Sequence, residues 1–172
     1  MNQHLERLDG LALFLHQPAL KLIEQCDAKL NRKLLVVSGW RSVQEQMLNY
    51  QKGRAMNRET GDWEVADKSL VVTNAKPGMT PHNIIGLDGR RASLAFDVVP
   101  LRDDGSADWE VGMKFWGDLY ELAWKVGLDP LGDTVGEYLK GDLGHFQEPG
   151  YKYKMQAWGL IFPVSLPPPA TV

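Results

Sequence analysis

Leu34-Leu35-Val36-Val37-Ser38-Gly39-Trp40-Arg41-Ser42-Val43-Gln44-Glu45-Gln46 is the stretch that decides the fold. Its first four residues are a short β-favouring run, and Ser38-Gly39 ends it. Ser42 and Glu45 then make an S-x-x-E capping box, followed by Val43, Met47 and Tyr50 at helical spacing. The stretch therefore reads strand, tight turn, helix. Upstream, Pro18 is expected to open a helix at its first turn, with Ala19, Ile23, Cys26 and Leu30 on one face. Downstream, residues 52–89 are polar and rich in Gly, Asn, Asp and Thr. They read as loops with a short hairpin at Leu70–Val72, and long irregular segments in compact domains are often functional. Ser93–Val99 reads as a strand stopped by Pro100. Phe115, Leu119, Leu122 and Val126 mark a second amphipathic helix that Gly127 ends, and His145–Gln147 a last strand ending at Pro149. Helices flanking a few strands give an α+β class: a small single domain with an antiparallel sheet.

The whole chain bounds this reading. Its 172 residues suggest one domain, assigned to 1–163, with a Pro-rich tail over 164–172. Hydrophobic residues are 44% and charged residues 24%, which excludes a disordered or coiled-coil chain. Lys and Arg number 19 against 22 Asp and Glu, a formal charge of -3 that speaks against a nucleic-acid partner. One cysteine, Cys26, excludes a disulfide framework or a multi-Cys zinc knuckle, and its helical face makes it inert core. Met1 to Glu6 lacks a basic leader region, and Leu11–Leu15 is too short for a signal core or a membrane span. The expectation is a monomer made in the cytoplasm, which must be released or delivered if it acts elsewhere.

Chemistry concentrates at a few positions. Of four histidines, His4 and His16 fall on or near the first helix and read as structural. His82 lies in the Thr80-Pro81-His82-Asn83 loop and His145 in Asp142-Leu143-Gly144-His145-Phe146. Between them, Asp97 sits inside the apolar run Ala95–Pro100, where a carboxylate is costly unless a charge or metal compensates it. Two imidazoles and one carboxylate can hold Zn²⁺ with a fourth position open, the arrangement that polarises a carbonyl and acidifies water. Asp142, three residues before His145, could act as general base. Arg41, at a strand-to-helix turn, is suited to a carboxylate or a developing oxyanion. Each also has a plain structural reading. A loop histidine packs or is solvated, Asp97 caps a turn or pairs with Arg90 or Arg91, Asp142 shapes a turn, and Arg41 pairs on the surface. Trp40, Trp63 and Trp116 are candidates for a groove wall, with core packing favoured for Trp116. The chain has no H-E-x-x-H, G-x-S-x-G, phosphate-loop or G-x-G-x-x-G motif.

Taken together, the set resembles a zinc peptidase family. That family comprises D-alanyl-D-alanine carboxypeptidases, vancomycin-resistance dipeptidases and phage L-alanyl-D-glutamate endolysins. Ser38-Gly39-Trp40-Arg41-Ser42 followed by Gln46 resembles its S-G-[YW]-R-S-x-x-x-Q segment. Thr80-Pro81-His82-Asn83 and Ala95-Phe96-Asp97 resemble the two halves of its S-x-H-x-x-G-x-A-x-D motif. Asp142-Leu143-Gly144-His145-Phe146-Gln147 resembles the third motif in the form seen in phage enzymes. The resemblance implies zinc ligands His82, Asp97 and His145, base Asp142, and substrate contact by Arg41, Thr80 and Gln46. It implies hydrolysis of peptidoglycan stem peptides, with the L-alanyl-D-glutamate bond expected and D-alanyl-D-alanine the alternative. A non-catalytic, zinc-stabilised wall-binding module is the expectation from another class. Action at the wall would follow holin-type release or delivery. Two departures stand out. Thr80 replaces the leading Ser, and His82 and Asp97 are fifteen residues apart where the family has seven. The extra segment, residues 84–91, reads as an inserted loop whose Asp88 is a rival ligand.

Overall fold

The computed structural model describes residues 5–131 and 142–163. His4 and the Pro-rich tail lie outside the described residues. A 3-10 turn over Leu5–Gly10 leads into α1 (Leu13–Leu30), then β1 (Leu34–Ser38) and α2 (Val43–Gln51). The hairpin β2 (Arg54–Met56) and β3 (Trp63–Val65) follows, then β4 (Ile85–Gly86), β5 (Ala95–Pro100) and α3 (Met113–Lys125). The chain continues through β6 (Asp129–Pro130), β7 (His145–Gln147), α4 (Tyr151–Lys154) and β8 (Leu160–Ile161). The main sheet has the order β1-β5-β7-β6 with every pairing antiparallel. The α+β expectation therefore holds.

Strand alternation divides the sheet into two faces. Leu34, Val36, Phe96, Val98 and Phe146 point into one core with Leu15, Ala19, Leu22 and Cys26 of α1 and Trp116, Leu119 and Tyr120 of α3. Asp97, His145 and Gln147 occupy the alternate positions of the same strands and so face away from the helices. Cys26 is fully buried, and burial pushes its thiol up to about 12, as an inert core residue requires.

Three local expectations change. Pro18 does not open α1 but lies inside it, five residues after its first residue. The helix starts earlier because Leu15 shares its buried face with Ala19 and Leu22, and that packing outweighs the bond Pro18 cannot make to the Phe14 carbonyl. The hairpin in the polar region is β2–β3, not Leu70–Val72; Lys68–Leu70 is instead a 3-10 turn in which Asp67 accepts from the Ser69 amide. Pro100 does not stop the strand short but ends β5 in register with Leu34, while Ser93 precedes the strand and bridges Leu11. The segment after His82 is tied down: Ile85 and Gly86 pair with Ile161 and Leu160. Beneath it, Ile84, Leu94, Tyr151 and Met155 form a second small core.

Candidate metal centre and active site

Three turns and two strands converge on the face of the sheet opposite the helices. β5 supplies Asp97, and its cross-strand partner on β7 is His145. Residues 81–83 form a 3-10 turn opened by Pro81, which presents the buried His82. Asp97 Oδ1 lies 2.9 Å from His145 Nδ1 and 3.4 Å from His82 Nε2, and the two nitrogens are 3.3 Å apart. These three atoms form a nearly equilateral triangle. A tetrahedral zinc with bonds of about 2.0–2.1 Å separates its ligand atoms by about 3.3–3.4 Å. The spacing thus fits three corners of a zinc site, and among the described residues this is the group of His, Cys, Asp and Glu that could hold a metal.

The proton positions fit as well. His82 Nδ1 lies 2.7 Å from the Gly39 carbonyl, which can only accept, so Nδ1 carries the proton and Nε2 is bare. His145 Nε2 lies 3.3 Å from Gln147 Oε1, an acceptor for its outer N–H, so Nδ1, turned to Asp97, is the nitrogen available to a metal. Ligating imidazoles usually donate their outer N–H in this way. Burial pushes the Asp97 carboxyl up, but the adjacent His82 and His145 outweigh it and hold it well below the ordinary range. Burial pulls His145 down, but its bond to Asp97 and the charges of Asp97 and Asp142 leave it raised. The rival Asp88 pairs with Arg90 in an exposed turn and takes no part in the cluster.

Arg41 is positioned by a defect in β1. The register runs Val36 to Val98 and then Ser38 to Asp97, so Val37 is an extra residue. Such a bulge re-aims the side chains that follow it. It brings the Ser38 hydroxyl to the Asp97 face, where it accepts from Arg41 Nη2 at 2.8 Å, beside Asp97 Oδ2 at 3.4 Å. Nη1 donates to Gln46 Oε1 at 2.7 Å. Among the described residues, these bonds leave one Nη1 hydrogen and the Nε–H for a substrate. Gln46 is fully buried and donates to the Ala75 carbonyl, so it stands behind Arg41 and fastens it to the loop beyond. The buried Thr80 hydroxyl donates to Asn83 Oδ1.

Asn83 carries no chemical signature in the sequence, yet it joins two of the segments. Its amide donates to the Arg41 carbonyl at 2.7 Å, and the Arg41 amide donates to the His82 carbonyl at 2.9 Å. Its place beside His82 was the one available signal.

The cluster opens into a cleft of about 660 Å³ lined by Arg41, Thr80, Asp142 and Gln147 as well as the three donors. Asp142 is solvent-exposed at this cleft, and its carbonyl accepts from the His145 amide. Although the residue is exposed, partial desolvation of its carboxyl and the negative charge of Asp97 raise its pKa, which makes it a stronger proton acceptor than an ordinary carboxylate. The tryptophans on the cleft are Trp109 and Trp116; Trp116 is also core, as expected, whereas Trp40 and Trp63 line neighbouring hollows.

Comparison with solved structures finds the same fold elsewhere. The vancomycin-resistance D,D-pentapeptidase VanY of a VanB-type cassette, in complex with Zn(II), is similar over 86% of this chain and 78% of its own, with a TM-score of 0.52 and 18% identity. VanYB in complex with D-alanine-D-alanine is similar over 88% and 80%, at 0.51 and 18%. The Serratia marcescens L-Ala D-Glu endopeptidase ChiX is similar over 88% and 90%, at 0.49 and 16%. No family model and no curated protein matches the chain.

Proposed function

We propose that this protein is a zinc peptidase that hydrolyses the peptide stems of peptidoglycan, with the bond between L-alanine and D-glutamate as its target. The observation that carries the reading is the donor triangle of His82, Asp97 and His145, spaced for zinc and with both outer N–H groups directed to oxygen acceptors. Asp142 and Arg41 in the same cleft supply what hydrolysis further requires. When bound, zinc supplies a Lewis acid for the scissile carbonyl and lowers the pKa of water. Asp142 takes the proton of the attacking water at its carboxylate and passes it to the leaving amine. The free N–H groups of Arg41 hold a substrate carboxylate or the oxyanion that develops on the carbonyl. The shared fold with VanY, solved with Zn(II), supports the zinc-peptidase class. The Asp142-Leu143-Gly144-His145 form of the third motif, which resembles phage enzymes, supports the L-alanyl-D-glutamate bond. No helix among the described residues is long and apolar enough to cross a membrane, and access to the wall by holin-type release or by delivery belongs to this proposal.

D-alanyl-D-alanine cleavage is the second reading, favoured by the fold shared with VanYB in complex with D-alanine-D-alanine. Digestion of purified peptidoglycan by the zinc-loaded protein, read by mass spectrometry beside Asp142→Asn, decides between them. Fragments split between L-alanine and D-glutamate are expected. Loss of only a terminal D-alanine moves the assignment to the second reading. Tight zinc binding with no product overturns both and leaves a wall-binding module.

A further inference from the structure

The two histidine ligands are oriented by different means. Nδ1 of His82 meets a backbone carbonyl, which cannot reverse its polarity. Nε2 of His145 meets a side-chain amide, which can: a half-turn of Gln147 would exchange its oxygen for its NH₂. Something must therefore hold Gln147 the right way round.

Asp129 stands opposite Gln147 in the β6–β7 pairing. Its Oδ2 accepts from Gln147 Nε2 at 3.3 Å, and Gln147 Oε1 lies 3.3 Å from His145 Nε2. A carboxylate oxygen can only accept, so Asp129 claims the NH₂ end of the amide. Only the oxygen is then left to face His145. That oxygen keeps a proton on Nε2, so the proton Nδ1 shares with Asp97 is the one released when zinc takes Nδ1. The reversed amide would set N–H against N–H, or drive the proton to Nδ1, inside the donor triangle.

We propose that Asp129 is a positioning residue for the metal centre: through Gln147 it keeps the proton of His145 on Nε2 and Nδ1 free for zinc. The inference rests on the zinc reading above. It is independent of which peptide bond is cut.

The test is zinc affinity by chelator competition on the full chain, for wild type, Asp129→Ala, Gln147→Glu and the double variant. Loss of an outer partner of a ligand costs on the order of ten- to a hundredfold in metal affinity. Asp129→Ala is expected to weaken zinc about tenfold, with its melting transition kept. Gln147→Glu is expected to bind at least as tightly as wild type. A carboxylate offers an acceptor in either orientation, so Asp129→Ala in that background should cost little. This rescue separates positioning from a general structural role. In the zinc-loaded protein, the Nε2–H resonance of His145 should be protected in wild type and weakened in Asp129→Ala. An unchanged affinity in Asp129→Ala overturns the inference, as does an equal loss in both backgrounds. A wild-type protein that binds no zinc overturns it together with the zinc reading.

Discussion

Asp97 and His145 are direct cross-strand partners, and that pairing sets a carboxylate oxygen 2.9 Å from an imidazole nitrogen. A slip of one residue would turn Phe146 away from the helices and put His145 into the apolar core. The apolar face that holds Phe146 in the core therefore also holds two of the three donors in place. Asp97→Asn keeps the shape and removes the charge. Zinc affinity should fall by more than the ~10–100-fold typical of an outer partner, and zinc should no longer raise the melting temperature. Thermal melts with zinc and with a chelator check this. A variant that zinc still stabilises as well as wild type would show that the triangle is not the metal site.

Asp142 should trade stability for activity. Its folded pKa is raised, first by burial and then by Asp97. A raised carboxyl favours the folded state below its unfolded pKa, and that contribution is lost as pH rises through the folded value. At pH 7 the ionised group therefore costs stability, and Asp142→Asn should raise the melting temperature of the metal-free protein. The difference should vanish in acid, where the native side chain is protonated. Hydrolysis should fall by about 10²–10⁴-fold, the usual contribution of a general base. A variant that melts lower at pH 7 would contradict this account.

Much of the site could be read from residues 38–46, 80–83, 95–97 and 142–147, because unusual chemistry sits there in turns and in an apolar strand. What could not be read depends on pairing across the sheet. The Val37 bulge that brings Ser38 to Arg41 is visible only once β1 is laid against β5. The Asp129–Gln147 contact likewise needs the β6–β7 register. The polar region is illegible for a related reason: β2–β3 has little apolar alternation, and all three of its pairings join exposed or half-exposed residues. The local preference of Pro18 for a first helical turn is overridden by the burial of Leu15.

Gly39→Ala should damage the site through backbone alone. A Cβ at Gly39 would overlap the Arg7 carbonyl oxygen, so the turn must move. The same residue's carbonyl fixes the His82 proton. A loss of about 1–3 kcal/mol, the usual cost of overpacking, is expected with a weaker zinc affinity. Gly117→Ala is the control, since its Cβ meets nothing within 4 Å and it lies inside α3. That change should stabilise by about 0.5–1 kcal/mol and leave zinc binding alone. Chemical denaturation and a zinc titration on both variants read the contrast.

Gln46 offers a way to separate substrate binding from metal binding. It lies in the interior of α2 with its oxygen on Arg41 and its NH₂ on the Ala75 carbonyl, and both of those partners lie outside the donor triangle. Gln46→Leu fills similar space but leaves Arg41 one bond short and Ala75 without its donor. An unpaired buried acceptor costs about 1–3 kcal/mol, so the variant should melt lower. Its zinc affinity should be unchanged, because the three donors are held by β5, β7 and the turn at His82. Its kcat/KM should drop about tenfold, which corresponds to ~1.4 kcal/mol of lost transition-state binding. Arg41→Lys should drop further, since an ammonium cannot reproduce the guanidinium fork that spans Ser38, Gln46 and a substrate. If Gln46→Leu instead lost zinc in proportion to activity, Arg41 would be acting through the metal centre, and its assignment to the substrate would fail.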